Sequence, residues 1–272
     1  MKIEQIAGIY FSPTGGTRKI VETAVQALAA RFGVPYQMVS YTTPADRERA
    51  VPLPPAALVV WGTPVYAGRI PNKTLPFVDA FLRGNGNPLI AIAAFGGRHY
   101  DNTLSEMVLK ARQGGLSPVG AAAMVCRHVF SPTLSASRPT EDDLQQLRDF
   151  VTRLPIDKAE ILSVPGEPDP QSYYTPLKED LQPAKFLKSK PQVNENQCVR
   201  CGKCAEVCPM GSIVLSTGVP IFEGICIKCQ ACIRNCAQHA LRMEDADFLS
   251  HVRMLEATVK EGRENEFYGG ML

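Results

Sequence analysis

The sequence has little that would carry the chain into a membrane, onto nucleic acid or into a disulfide framework. No uninterrupted apolar stretch approaches the roughly 18 residues of a membrane-spanning helix. The opening Met1-Lys2-Ile3-Glu4-Gln5 lacks the layout of a secretory leader. Basic side chains form no dense block and the net charge over 272 residues is only +2, so nothing suggests nucleic-acid binding. Aromatic residues make up 7% of the chain, and only one of the nine cysteines, Cys126, lies outside a short C-terminal stretch. These absences lead us to expect a soluble, cytoplasmic protein with no membrane partner. The 45% apolar content suffices for a sizeable core in one large or two modest domains.

The other eight cysteines crowd between Cys198 and Cys236. In a leader-free chain such clustering points to metal, not disulfides. They form an internal repeat, Cys198-x2-Cys201-x2-Cys204-x3-Cys208 and Cys226-x2-Cys229-x2-Cys232-x3-Cys236, offset by 28 residues with every cysteine matched. A cubane [4Fe-4S] cluster needs four thiolates, of which one tight loop can supply three. Zinc is the competing reading, but cysteines at i, i+3, i+6 and i+10 fit zinc ribbons poorly. The stretch, including Pro209 directly after Cys208, resembles the bacterial two-cluster ferredoxins. That resemblance implies two clusters that exchange their fourth ligands. Cys198, Cys201, Cys204 and Cys236 would hold one, and Cys226, Cys229, Cys232 and Cys208 the other. Ala237 stands where a second Pro would be, so a changed local turn is expected there. Residues 213–215 and 219–222 bracket Ser216-Thr217-Gly218 as a plausible hairpin over the clusters. A module this small needs its metals to fold.

From the start to about residue 160, short apolar runs alternate with stretches of helical spacing, the pattern of βαβ units around a parallel sheet. Strands are expected at 3–12, 34–41, 56–62, 88–95 and 119–126. Helices are expected at 16–31, 72–83, 102–113 and 141–153, the last capped by Thr140 with Glu141, Asp142 and Asp143 in its first turn. Such a doubly wound α/β sheet binds ligands outside the carboxyl ends of its strands. Repeated Pro over 164–184 reads as an extended linker. The expected organisation is a sheet domain at 1–163, the linker, a cluster domain at 185–245, and a tail at 246–272 whose helix-forming composition reveals no role.

After the first strand, Ser12-Pro13-Thr14-Gly15-Gly16-Thr17 opens a helix. Hydroxyls, backbone N–H groups and the positive dipole end make an anion cradle there. The loop is neither a Walker loop nor a G-x-G-x-x-G fingerprint, and a plain turn without ligand is the alternative. Ser12-x-Thr14-Gly15-x-Thr17 resembles the FMN phosphate loop of flavodoxins. Two further loops strengthen the likeness: Thr63-Pro64-Val65-Tyr66-Ala67-Gly68 after the third strand, and Phe95-Gly96-Gly97-Arg98-His99-Tyr100-Asp101 after the fourth. The resemblance implies a flavodoxin-like sheet of order 2-1-3-4-5, with Tyr66 and either Tyr100 or His99 flanking the flavin ring. It also implies a Gly68 peptide free to turn its carbonyl or amide toward the flavin. Trp61 is expected in the core, Cys126 as a buried inert thiol, and His128, His239 and His251 as structural or exposed. Tyr173 and Tyr174 are candidates to pin the linker.

Taken together, the two halves resemble the flavodoxin-ferredoxin fusion family over roughly 3–245. The family likeness implies FMN, two [4Fe-4S] clusters and electron transfer between redox partner proteins. A flavin-dependent reductase and a redox sensor or assembly scaffold stay open as alternatives.

Overall fold

Runs of Val, Ile, Leu and Ala without alternating polar residues can be satisfied only in a sheet covered on both faces. In the computed structural model, which describes residues 2–50, 52–156, 162–259 and 262–269, they form such a sheet. The elements are β1 (Gln5–Tyr10), α1 (Gly16–Phe32), β2 (Tyr36–Ser40), α2 (Pro44–Glu48), β3 (Ala57–Pro64), α3 (Leu75–Phe81), β4 (Pro88–Phe95), α4 (Thr103–Gln113), β5 (Ser117–Val125) and α5 (Glu141–Arg153). These five strands lie in the order β2-β1-β3-β4-β5, every neighbour parallel. That is the flavodoxin-like order. The helix expected over 72–83 is instead a 3-10 turn at Asn72–Thr74 followed by α3, with Pro76 in the first turn of that helix. α5 starts as expected, with a capping box in which Thr140 and Asp143 each accept from the other's amide.

One face of the sheet packs Phe11, Tyr41, Trp61, Ile70 and Leu104, and the other packs α1 and α5 through Ile20, Val21, Val25, Leu144 and Leu147. α1 lies unusually close to the strands because two glycines leave room. A Cβ on Gly62 would stand 2.2 Å from Val21 Cγ2, and one on Gly8 2.8 Å from Val25 Cγ2. This close seating places the Gly15–Thr17 turn at the carboxyl end of β1.

The cysteine half comprises β6 (Gln192–Val193), α6 (Lys203–Glu206), β7 (Ile213–Ser216), β8 (Val219–Phe222), α7 (Ala231–Arg234) and β9 (Leu241–Arg242). β7 and β8 form the expected hairpin, turned through Thr217 and Gly218 at positive φ. The sequence repeat is also a backbone repeat. Arg200 and Lys228 share φ 58°, Gly202 and Gln230 are both left-handed at 74° and 63°, and Gly211 and His239 at 59° and 50°.

The last part of the chain forms a helix, in line with its helix-forming composition, and a short strand that the composition did not announce. α8 (Ala246–Thr258) buries Phe248 against Phe186 and Phe130, and β10 (Glu266–Tyr268) adds to β5 as an antiparallel edge strand. The sheet therefore has six strands, not five. Asn265 fastens this edge by accepting from Val125 N at 2.9 Å and donating to Asp143 Oδ1 at 2.8 Å.

Residues 164–184 run extended but tethered. Glu167 N donates to Asn102 Oδ1 at 2.9 Å, Tyr173 OH to Ile70 O at 3.0 Å and Tyr174 N to Ala67 O at 2.8 Å. Arg69 lies 4.5 Å over the Tyr173 ring and Arg98 4.0 Å over that of Tyr174, so both tyrosines pin the segment. Among the described residues no helix is long and apolar enough to cross a membrane.

Candidate cofactor sites

The first loop is built as an anion cradle. Ser12 N donates to Thr42 Oγ1 at 2.9 Å, and Ser12 Oγ accepts from Arg18 N at 2.9 Å, which fixes the loop against the helix. Gly15 caps α1 in the left-handed region at φ 88°, with open space where a side chain would be. Among the described residues, the Gly16 and Thr17 amides and the Thr14 and Thr17 hydroxyls have no hydrogen-bond partner. Thr17 is buried with its methyl toward Gly62, whereas Thr14 is exposed. Unpaired donors at the positive end of a 17-residue helix fit a phosphate. Arg18 and Lys19 face solvent.

The second loop is a tight turn. Tyr66 N donates to Arg69 O at 2.9 Å and Arg69 N to Tyr66 O at 3.1 Å, across Ala67 and Gly68 at φ 48° and 79°. Gly68 is required twice over, because a Cβ there would stand 2.3 Å from Asp101 Oδ2. Its carbonyl accepts from Asn102 N at 3.0 Å. Thr63 is fully buried beneath the loop, while Pro64, Val65, Tyr66 and Ala67 are half-buried. From behind, the buried Glu106 accepts from Arg69 Nη2 at 2.5 Å and from Ile70 N at 2.9 Å.

The third loop corrects one expectation. Tyr100 is not a candidate ring flank, because it is 2% exposed in the core. Its hydroxyl donates to Glu266 Oε2 at 2.7 Å and lies 2.6 Å from Tyr268 OH. Burial, then those two partners, pushes its phenol far above the ordinary range. Phe95 is likewise buried, edge-on to Tyr100. His99 stays half-exposed, stacked on Tyr100 at 4.9 Å, and its Nδ1 accepts from Asp101 N at 2.8 Å. Gly96 leaves room for the His128 ring, and Gly97 is left-handed at φ 91°. Trp61 is core, donating to Tyr41 OH at 3.0 Å.

Cys208, Cys226, Cys229 and Cys232 line one cavity together with Ile213, Phe222, Ile227 and Lys228. Burial, then the nearby charges of Cys226 and Cys208, pushes the Cys229 thiol up to about 12. Burial and the charges of Cys229, Cys226 and Cys208 push Cys232 up as well. Cys208 therefore stands with the second run. Burial, opposed by backbone hydrogen bonds and reinforced by Cys198 and Cys201, raises Cys204. Cys236 packs in the same apolar layer as Cys204. Ser212 N donates to Cys208 Sγ at 3.4 Å and Ala240 N to Cys236 Sγ at 3.3 Å, again 28 residues apart. Thiols in so apolar a cavity are poor anions unless a metal takes the charge, and amide donors to sulfur suit iron-bound thiolate. The donor set fits an iron-sulfur cluster. Among the described residues no three His, Cys, Asp or Glu side chains close in as a single ion would require.

The turn at Ala237 is a second correction. His239 N donates to Cys236 O at 3.0 Å as Gly211 N does to Cys208 O at 3.2 Å, so the second run keeps the first run's turn without its Pro.

The cysteine half sits on the carboxyl edge of the sheet. Arg47 Nη2 donates to Pro209 O at 2.7 Å, and Arg234 Nη2 to His128 O at 3.0 Å and Val129 O at 2.9 Å. Ile227 packs against the core that holds Phe11 and Trp61. Val65 of the second loop packs against that same core, and burial, then the charges of Cys229 and Cys226, pushes the Tyr66 phenol well above its usual value. Burial drives the neighbouring His128 down to about 4 and the Cys126 thiol up to about 12, as befits an inert thiol. His251 is buried on Leu177 O at 2.7 Å and His239 is exposed. The sequence reading missed Arg47, Glu106 and Arg234, which lie in no motif.

Residues 190–213, with the first cysteine run, match the model of the 4Fe-4S binding domain family. The chain is 38% identical over 53 residues to a polyferredoxin protein, MvhB, of Methanothermus fervidus, over 20% of this chain and 13% of that one. It thus spans a small part of that relative's length. Similar solved structures include a flavodoxin from the domain Archaea, 15% identical over 54% of this chain and 94% of that one with a TM-score of 0.38. Flavodoxin 2 from Bacillus cereus is 16% identical over 54% and 94%, with a TM-score of 0.41. The strand order itself defines the fold. The chain joins a flavodoxin-like α/β sheet to a 4Fe-4S ferredoxin segment in one polypeptide. Such a segment supports a role in redox electron transfer.

Proposed function

We propose that the chain relays electrons between redox partner proteins through two [4Fe-4S] clusters and an FMN. The observation that carries this reading is geometric: Ile227, between Cys226 and Cys229, and Val65, beside Tyr66, pack against the same core of the sheet domain. The clusters would supply one-electron storage and FMN one- or two-electron storage.

The chain's own residues provide placement and shelter. The Gly16 and Thr17 amides with the Thr14 and Thr17 hydroxyls bind the phosphate, and Ser12 and Gly15 shape their loop. Glu106 and Arg69 hold the Tyr66 turn, while Val65, Ala67, Gly68, Gly97, His99 and Asp101 frame the ring. Cys198, Cys201, Cys204 and Cys236 take one cluster, and Cys208, Cys226, Cys229 and Cys232 the other. Ile213, Phe222 and Ile227 keep water from the latter. Fusion replaces a diffusional encounter with a fixed local concentration. The eight basic and five acidic residues of 185–245 suit an acidic partner, and unpaired thiols suit a reducing compartment such as the cytoplasm.

The test is an absorption spectrum with iron, sulfide and FMN analysis of anaerobically purified protein. About eight irons and about one FMN per chain support the reading. Colourless material sinks it. A second reading, a flavin-dependent reductase, is favoured by a crevice of about 660 Å³ beside the third loop, lined by Gly97, Arg98, Tyr174, Thr258 and Arg263. Its two arginines suit an anionic acceptor. Steady turnover across an acceptor panel supports the reductase, and reduction that stops at stoichiometric uptake supports the carrier.

A further inference from the structure

The 28-residue repeat supplies an internal control, because equivalent positions share a backbone and its matched cysteines differ only in surroundings. In the first run, Val199 is 62% exposed and Arg200 and Cys201 are also exposed. At the matching positions of the second run, Ile227 packs into the sheet domain's core, while Lys228 is 7% and Cys229 8% exposed. The contrast continues along the run: Lys203 and Cys204 are part-exposed, whereas Ala231 and Cys232 are buried.

What covers the second run is known. Ile227 reaches the core under the Tyr66 and Phe95 loops, Lys228 donates to the carbonyl of Leu187, and Arg234 is held by His128 O and Val129 O. Among the described residues, the hydrogen bond from the sheet domain to the first run falls next to its fourth cysteine, where Pro209 O accepts from Arg47. That fourth cysteine, Cys208, stands in the second cavity.

We infer that the two thiolate sets are ordered. Cys208, Cys226, Cys229 and Cys232 form the flavin-side centre, and Cys198, Cys201, Cys204 and Cys236 form the solvent-side centre through which electrons enter or leave the chain. The inference rests on the two-cluster reading above and adds direction to it. Each handover moves one electron, oxidising the giving centre by one and reducing the receiving centre by one. Low-potential reductant outside the chain replenishes the solvent-side set. Apolar cover at the inner set removes water from the short path, whereas exposure at the outer set opens it to an outside donor or acceptor.

The order can be tested on the intact holoprotein by stepwise oxidation with ferricyanide under anaerobic conditions. Thiols released as iron is lost are trapped with iodoacetamide and located by peptide fragmentation. Cys198, Cys201 and Cys204 should be labelled at least tenfold sooner than Cys226, Cys229 and Cys232. Cys236 should label with the first group and Cys208 with the second, a crossing that mere sequence position would not produce. Simultaneous or reversed labelling in a preparation with both clusters overturns the order alone. A preparation without iron and sulfide fails the cluster reading itself and this inference with it.

Discussion

Lys228 donates its ammonium protons to the carbonyl of Cys226 at 2.9 Å from a position almost closed to water. Burial lowers its pKa, and the nearby Cys226 charge opposes that shift. A cation held against thiolate ligands favours the more reduced, more negative cluster. Replacing Lys228 by Met should lower one reduction potential on the order of tens of millivolts. Arg200→Met, at the exposed equivalent position, should shift the other far less. A redox titration followed by electron paramagnetic resonance measures both, and equal shifts contradict the account.

Two hydroxyls carry the phosphate cradle's side-chain donors. Thr14→Ala with Thr17→Ala should weaken FMN binding by at least about 100-fold, since hydrogen bonds to charged groups contribute roughly 1.5–3 kcal/mol each and each tenfold is about 1.4 kcal/mol. Iron and sulfide content should stay unchanged. FMN retained at wild-type affinity after dialysis removes the cradle from the model of binding.

Close approach of α1 to the sheet depends on a missing side chain. Gly62→Ala forces a methyl against Val21 and should destabilise the protein by about 1–3 kcal/mol. Urea unfolding followed by circular dichroism reads this directly, provided iron loss is monitored separately.

Asn265 ties the edge strand to both β5 and α5, with a third bond from its Nδ2 to Gln146 Oε1 at 3.1 Å. Asn265→Ala leaves the Val125 amide without its partner and should weaken the fold by about 1–3 kcal/mol. Hydrogen exchange should speed up selectively at Val125 and along β10.

Stability should also fall in mild acid through His128. Its folded pKa lies near 4, below the ordinary 6.5, chiefly through burial and further through His251, Arg234 and Arg98. The unfolded chain therefore binds a proton that the folded chain refuses. The folded state is unpenalised above about 6.5 and loses stability progressively as pH drops toward about 4. His128→Gln should flatten that slope in chemical denaturation curves taken across the window.

The strands announce themselves because burial on both faces demands unbroken apolar runs, and β4 repeats its sequence boundaries residue for residue. Thr140 and the Ser216–Gly218 turn are equally local, each readable from three or four neighbours. Cysteine spacing carries the metal chemistry because ligand geometry is written in the interval itself. What escaped is long-range. The fate of Tyr100 depends on Glu266 and Tyr268, more than 160 residues away, and a three-residue edge strand has too little pattern to betray its pairing. The Ala237 turn shows that backbone hydrogen bonding, more than Pro, shapes that corner.

The path of the chain makes the cysteine module an insertion rather than an appendage. It departs after α5 and comes home at β10, so two covalent passes, not one, restrain it. A protease nick within 164–184 would leave the severed pieces clasped through the edge strand and the tyrosine pins. Such a molecule should survive gel filtration as one species, and the module has no leash on which to swing away between turnovers.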